Sequence, residues 1–227
     1  MRAARPLDHR RVDHTSFLAA TAAIKHRSPV VLVDDMSARD ATGALVVPAQ
    51  YADTERIALL VRETSGFICV AMTAARLDQL RLPDQVPSRT GNATGFAVAV
   101  DLLCGPTTGI SARDRAMTVR ALADPTTNAD DLTRPGHVVP VCVAEAGVLD
   151  RPGVAEATVD LCEAAGLQPA AAFATVLDAA GEVACLPELA DLANRYEFPL
   201  LRVSDVVAWR ATRRPTARDR VFAATHA

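Results

Sequence analysis

Short apolar runs alternate with capped helical patterns along almost the whole chain, and this alternation limits the possible folds more than any other feature. The runs Val30-Val31-Leu32-Val33 and Gly66-Phe67-Ile68-Cys69-Val70-Ala71, and those at residues 94–100, 138–143, 172–176 and 200–203, have the length and apolar content of strands. Helical patterns lie between them. One covers about residues 16–26; another starts after Asp53 and carries Ile57, Leu60 and Val61 on one face. Ser111 and Asp114 form an S-x-x-D capping signature ahead of a helix holding Met117 and Val119. Later helices are expected between Gly153 and Gly166, at 187–196 and from Ser204 onward. With no internal repeat, low-complexity stretch or long linker, the pattern predicts an α/β fold, a mixed α+β-type sheet with surrounding helices, in one domain over residues 16–210. Residues 1–15 read as a basic tail and residues 211–227 as an Arg-rich, poorly ordered one. Strand order and direction do not follow from the pattern.

A 227-residue chain that is 50% hydrophobic and 22% charged can bury a sizeable core, which excludes a disordered or disulfide-stapled class. Its net charge of −3 argues against a nucleic-acid binder. No apolar run approaches the ~18 residues of a membrane span, and the N-terminal stretch has no signal-peptide core. The five cysteines are odd in number and lack a C-x-x-C pair, as expected of reduced thiols in a cytoplasmic protein. Of the 24 basic Lys and Arg residues only Lys25 is a lysine, so anion recognition falls to arginine.

Four polar clusters interrupt the apolar pattern. Asp34-Asp35-Met36-Ser37-Ala38-Arg39-Asp40-Ala41-Thr42-Gly43 follows a strand, where acids can project into a cleft, although they also read as turn-formers around Gly43. Thr107-Thr108-Gly109-Ile110-Ser111-Ala112-Arg113-Asp114-Arg115 offers backbone N–H groups at a helix start, or is a capped helix with ordinary surface arginines. Arg134-Pro135-Gly136-His137 puts an arginine and a histidine on a rigid turn feeding a strand; such a histidine is a metal ligand or a structural residue. Glu156 sits near a helix start, where it serves acid–base chemistry or complements the helix dipole.

Together the four clusters resemble those of the 3,4-dihydroxy-2-butanone 4-phosphate synthase family. The resemblance runs from about residue 17 to 210 and is strongest in T-T-G-I-S-A-R-D-R-A-M-T-V-R (107–120) and D-L-T-R-P-G-H-V (131–138). A-G-V-L-D-R-P-G-V-A-E-A-T-V-D-L (146–161) and S-G-F-I-C-V (65–70) add to it. The resemblance implies a family-specific α/β fold, a homodimer with active sites at the subunit interface, and a divalent cation, Mg²⁺ or Mn²⁺. The implied reaction turns ribulose 5-phosphate, a phosphorylated small molecule, into a four-carbon ketone phosphate and formate. Arg39 and Arg134 are the implied phosphate-binding arginines, with Thr108, Ser111 and Asp114 beside them. Asp40 and His137 are the implied metal ligands. Asp40, Glu156 and Cys69 are the implied catalytic residues, with Asp35 a further catalytic candidate able to stand in for the missing acids.

The chain departs from the family in its acidic loop. R-E-x-E-G-D becomes Arg39-Asp40-Ala41-Thr42-Gly43-Ala44 after one extra residue, so two carboxylates are replaced by a hydroxyl and a methyl group. In the H-T-E-A segment the histidine and threonine become Val154 and Ala155. Losing one positioned proton-transfer group typically costs about 10²–10⁴-fold in rate. The sequence therefore predicts a diverged homologue performing enolisation, dehydration or isomerisation on a sugar phosphate, in specialised metabolism. One alternative is a genuine synthase in which Asp34 or Asp35 takes over the missing role; another is a non-catalytic binding or assembly subunit.

Overall fold

The computed structural model describes residues 14–36, 41–86 and 95–213. Its centre is an eight-stranded mixed sheet in the order β4-β6-β3-β7-β2-β1-β8, with β5 pairing to β6 outside that path. The strands are β1 (Val30–Asp34), β2 (Thr42–Pro48), β3 (Cys69–Met72), β4 (Gly95–Phe96), β5 (Val100–Leu102), β6 (Leu132–Cys142), β7 (Ala170–Thr175) and β8 (Leu200–Arg202). β1 runs parallel to β8 and β3 parallel to β6; the remaining pairs are antiparallel.

Side chains alternate between the two faces of each strand, and the core divides by the same parity. Val31, Val33, Leu45, Val47, Val70 and Met72 pack with α2 (Thr54–Glu63), α3 (Ala74–Gln79), α4 (Ala112–Ala123) and α6 (Leu186–Tyr196). Val30, Leu32, Val46 and Leu201 pack on the other face against α1 (His14–Lys25), α5 (Val154–Ala164) and α7 (Val203–Ala211). Cys69, Ala71, Val139 and Val141 continue that second face under the start of α5. The helices begin where capping chemistry predicts: Asp53 accepts from the Arg56 amide at 2.9 Å, and Ser111 accepts from the Asp114 amide at 3.0 Å. No helix among the described residues is long and apolar enough to cross a membrane.

Several local expectations need correction. Gly43 is not the centre of a turn but lies inside β2, opposite Val33. A Cβ there would stand 2.6 Å from the Leu32 carbonyl oxygen and 2.7 Å from Leu189, so close packing of α6 on β2 demands glycine. The run 66–71 becomes a strand only from Cys69, because Gly66 adopts φ +68°. The run expected at 94–100 is two short strands, β4 and β5, and Thr94 lies outside the described residues. Arg134-Pro135-Gly136-His137 does not precede a strand as a turn; it lies within β6.

Candidate active site

His137 is the anchor of the site. Its backbone N–H donates to Asp101 Oδ1 at 3.0 Å, and its ring Nδ1 lies 2.7 Å from Asp101 Oδ2. The His137 side chain is 40% exposed while the Asp101 side chain is only 10% exposed, so an exposed imidazole rests on a buried carboxylate. The 107–111 loop curls over this pair. Gly109, at φ +80°, has its Cα where any side chain would collide with Asp101 and the His137 ring.

Asp114 holds the loop in that shape. Its Oδ2 accepts from the Thr107 hydroxyl at 2.9 Å and from the Gly109 amide at 3.2 Å. Burial alone would raise the Asp114 carboxyl, but hydrogen bonds from Thr107, Ser111 and Gly109 outweigh it and hold the group below its ordinary value. The structure thus puts Asp114 to a different use from the phosphate contact the resemblance implies: an ionised carboxylate clamps the loop that carries exposed Thr108 and Ser111. Arg115 is no surface arginine either. It is buried and donates to the Gly66 carbonyl at 3.0 Å; burial pulls its guanidinium down and nearby Asp101 pushes it back up.

The other implied residues do not converge on His137 within the chain. The Arg134 guanidinium donates to the carbonyls of Leu80 at 2.8 Å, Leu132 at 3.1 Å and Ala129 at 3.3 Å, turning it toward the end of α3. Glu156 is buried at the start of α5, where Oε1 accepts from Arg151 Nε at 2.7 Å and from the Ala144 amide at 3.2 Å. That lies past the C-terminal end of β6, whose last residue Cys142 is five residues or ~16 Å of extended strand from mid-strand His137. Asp35 receives the Ser204 amide at 3.0 Å and the Ser204 hydroxyl at 2.5 Å, joining the end of β1 to the start of α7. Burial pushes the Cys69 thiol up to about 12, so in this structure it is a buried, protonated thiol. Arg39 and Asp40 lie outside the described residues.

Ala44 is buried in β2 between Leu32 and Thr175, on the face that carries Cys69. No carboxylate leaves β2 toward the cleft at this position. Among the described residues no group of three or more His, Cys, Asp and Glu side chains could hold a metal ion. What the structure offers a divalent cation is one imidazole with its second nitrogen free and a carboxylate behind it, an arrangement that fits one ligand of such a site. Asp101 was not singled out from sequence, and Arg115 was read there only as a surface arginine of a capped helix. The reasoning applied to Asp34, an acid at the end of an apolar run, applies equally to Asp101.

A family-level comparison matches residues 19–209 to 3,4-dihydroxy-2-butanone 4-phosphate synthase. The riboflavin biosynthesis protein RibBA of a Synechocystis species is 43% identical over 195 residues, covering 85% of this chain and 35% of that protein. The chain thus spans about a third of that relative's length. The 3,4-dihydroxy-2-butanone 4-phosphate synthase of Shewanella pealeana is 40% identical over 195 residues, covering 86% of this chain and 92% of the relative. A solved 3,4-dihydroxy-2-butanone 4-phosphate synthase in complex with two magnesium ions superposes with a TM-score of 0.79 at 34% identity, covering 84% of this chain and 94% of the other. With the profile, the relatives and the solved fold in agreement, the chain belongs to the 3,4-dihydroxy-2-butanone 4-phosphate synthase family.

Proposed function

We propose that the protein is a working synthase of riboflavin biosynthesis, converting ribulose 5-phosphate to 3,4-dihydroxy-2-butanone 4-phosphate and formate in the cytoplasm. The observation that carries this reading is the match along 92% of the Shewanella pealeana synthase, together with the His137–Asp101 pair in the structure. The reaction enolises a hydroxyketone, loses and regains water, migrates the carbon skeleton and expels formate. Each step needs a proton donor or acceptor within hydrogen-bond reach.

His137 and Asp40 would hold a divalent cation, Mg²⁺ or Mn²⁺, which when bound draws charge from the substrate's carbonyl and hydroxyl oxygens. The exposed hydroxyls of Thr108 and Ser111 line the approach to His137, and Arg39 supplies the guanidinium that a phosphate needs. Cys69, buried, stays protonated near neutral pH. Glu156, paired with Arg151, serves as the acid–base group. Its distance from His137 within one chain supports a homodimer in which a second copy brings its own Glu156 to the site. Exposed Phe67, Phe96, Leu103 and Ile110 supply apolar surface for that contact, with the Phe67 and Phe96 ring centroids 6.4 Å apart.

Thr42 and Ala44 favour a second reading, a diverged enzyme that stops at enolisation, isomerisation or dehydration of a sugar phosphate. An enzyme-coupled formate assay with ribulose 5-phosphate and Mg²⁺ separates the two. Formate release that requires His137 supports the synthase; consumption of substrate without formate supports the diverged enzyme.

A further inference from the structure

Glu156 and Asp160 stand one turn apart on α5, so both carboxylates leave the same side of the helix. Both are buried, and both reach the segment 144–151 between β6 and α5. Glu156 Oε1 accepts from the Ala144 amide at 3.2 Å and from Arg151 Nε at 2.7 Å. Between those two points, Asp160 Oδ2 accepts from the Val148 amide at 2.9 Å. Arg151 Nη2 donates onward to the Cys142 carbonyl at 2.9 Å. Gly147 takes φ +62°, and a Cβ there would collide with both Asp160 carboxylate oxygens, so the turn is shaped around this side chain. A carboxylate this deep calls for a compensating charge. Arg210 of α7, itself buried, places Nε 3.6 Å from Asp160 Oδ1.

We propose that Asp160 is a positioning residue for Glu156. By holding Val148 it sets the course of the 144–151 segment, and that segment brings the Ala144 N–H and the Arg151 guanidinium onto Glu156 Oε1. Glu156 Oε2 is then turned toward Gly153 at the helix start. The proposal rests on the reading of Glu156 as the acid–base group. Two substitutions test it at constant charge. Asp160→Asn keeps an oxygen that can accept from Val148, whereas Asp160→Ala removes the acceptor. Gly147→Ala is a third probe, because it pushes the segment off Asp160 with every charge in place.

The first measurement is NMR amide hydrogen exchange at Ala144 and Val148. Both should be protected in the wild-type protein, exchange at least about tenfold faster in D160A and G147A, and stay near wild-type in D160N. Wild-type amides that exchange like an exposed loop overturn the proposal without any variant, so poor folding of D160A does not rescue it. The second measurement is formate release per folded molecule from ribulose 5-phosphate. D160A should lose about 10²-fold in kcat with KM little changed, and D160N should stay within a few-fold of wild-type. A purely structural role would lower the urea midpoint and leave kcat per folded molecule intact, and that result overturns the proposal, as does D160N losing as much kcat as D160A. If the wild-type protein releases no formate, the synthase reading falls. Faster exchange at Ala144 in D160A but not in D160N then still upholds the control of Glu156 by Asp160, and unchanged exchange at Ala144 overturns it.

Discussion

At Asp35 both carboxylate oxygens are taken by Ser204, one by its amide and one by its hydroxyl. That geometry caps α7 across the sheet and leaves the carboxylate little freedom to act as a base. Asp35→Asn should lower stability by about 1 kcal/mol, the usual worth of a helix N-cap, and leave formate release within a few-fold; abolished release in a well-folded variant would restore Asp35 as the missing base. The thiols give a second residue-scale outcome. Burial pushes Cys69 and Cys162 up to about 12 from an ordinary 9.0. Below the ordinary value both states hold these protons. Between the two values the unfolded chain releases protons that the folded chain keeps, so stability falls as pH rises through that window. Urea unfolding across that range should show the loss, and Cys162→Ala should make it shallower; an unchanged slope contradicts the assignment. None of this was legible in sequence, because what a carboxylate or thiol does depends on residues far along the chain, 169 positions away for Asp35 and Ser204.

The strongly apolar strands and the capped helices were legible because their signals are local: hydrophobic periodicity, Asp53 and Ser111 as caps, and Gly166 closing α5. The β2 strand was hidden by its opening Thr42-Gly43, which reads as a turn until Leu189 of α6 is packed against it. Gly43→Ala should therefore destabilise the protein by about 1–3 kcal/mol through overpacking, measured as a lower urea midpoint. A neutral substitution would mean that α6 does not press on β2 as described. The same element carries the chain's chief departure from its family. Ala44 faces the cleft side of the sheet from a buried position, so the carboxylate is missing from the strand that closes the acidic loop.

At the scale of the whole molecule, the family was legible from four motifs in order, and those motifs named candidate site residues, while the separation of His137 from Glu156 was not legible. Motifs order residues along the chain, and only the course of β6 reveals that Glu156 sits past its C-terminal end while His137 lies at its middle. A second copy that completes the site makes a sharp demand. Mixing His137→Ala with Glu156→Gln, each inactive alone, should restore up to about one quarter of wild-type activity through hybrid dimers with one intact site; no recovery after subunit exchange contradicts a shared site. The central claim, that a chain lacking two of its family's carboxylates still runs the full reaction, is tested most directly by ¹³C NMR of uniformly labelled ribulose 5-phosphate incubated with the protein and Mg²⁺. The synthase reading predicts formate and a four-carbon ketone phosphate appearing in equal amounts, and neither with His137→Ala. Labelled substrate that stays unchanged, or converts to a five-carbon product without formate, would contradict it.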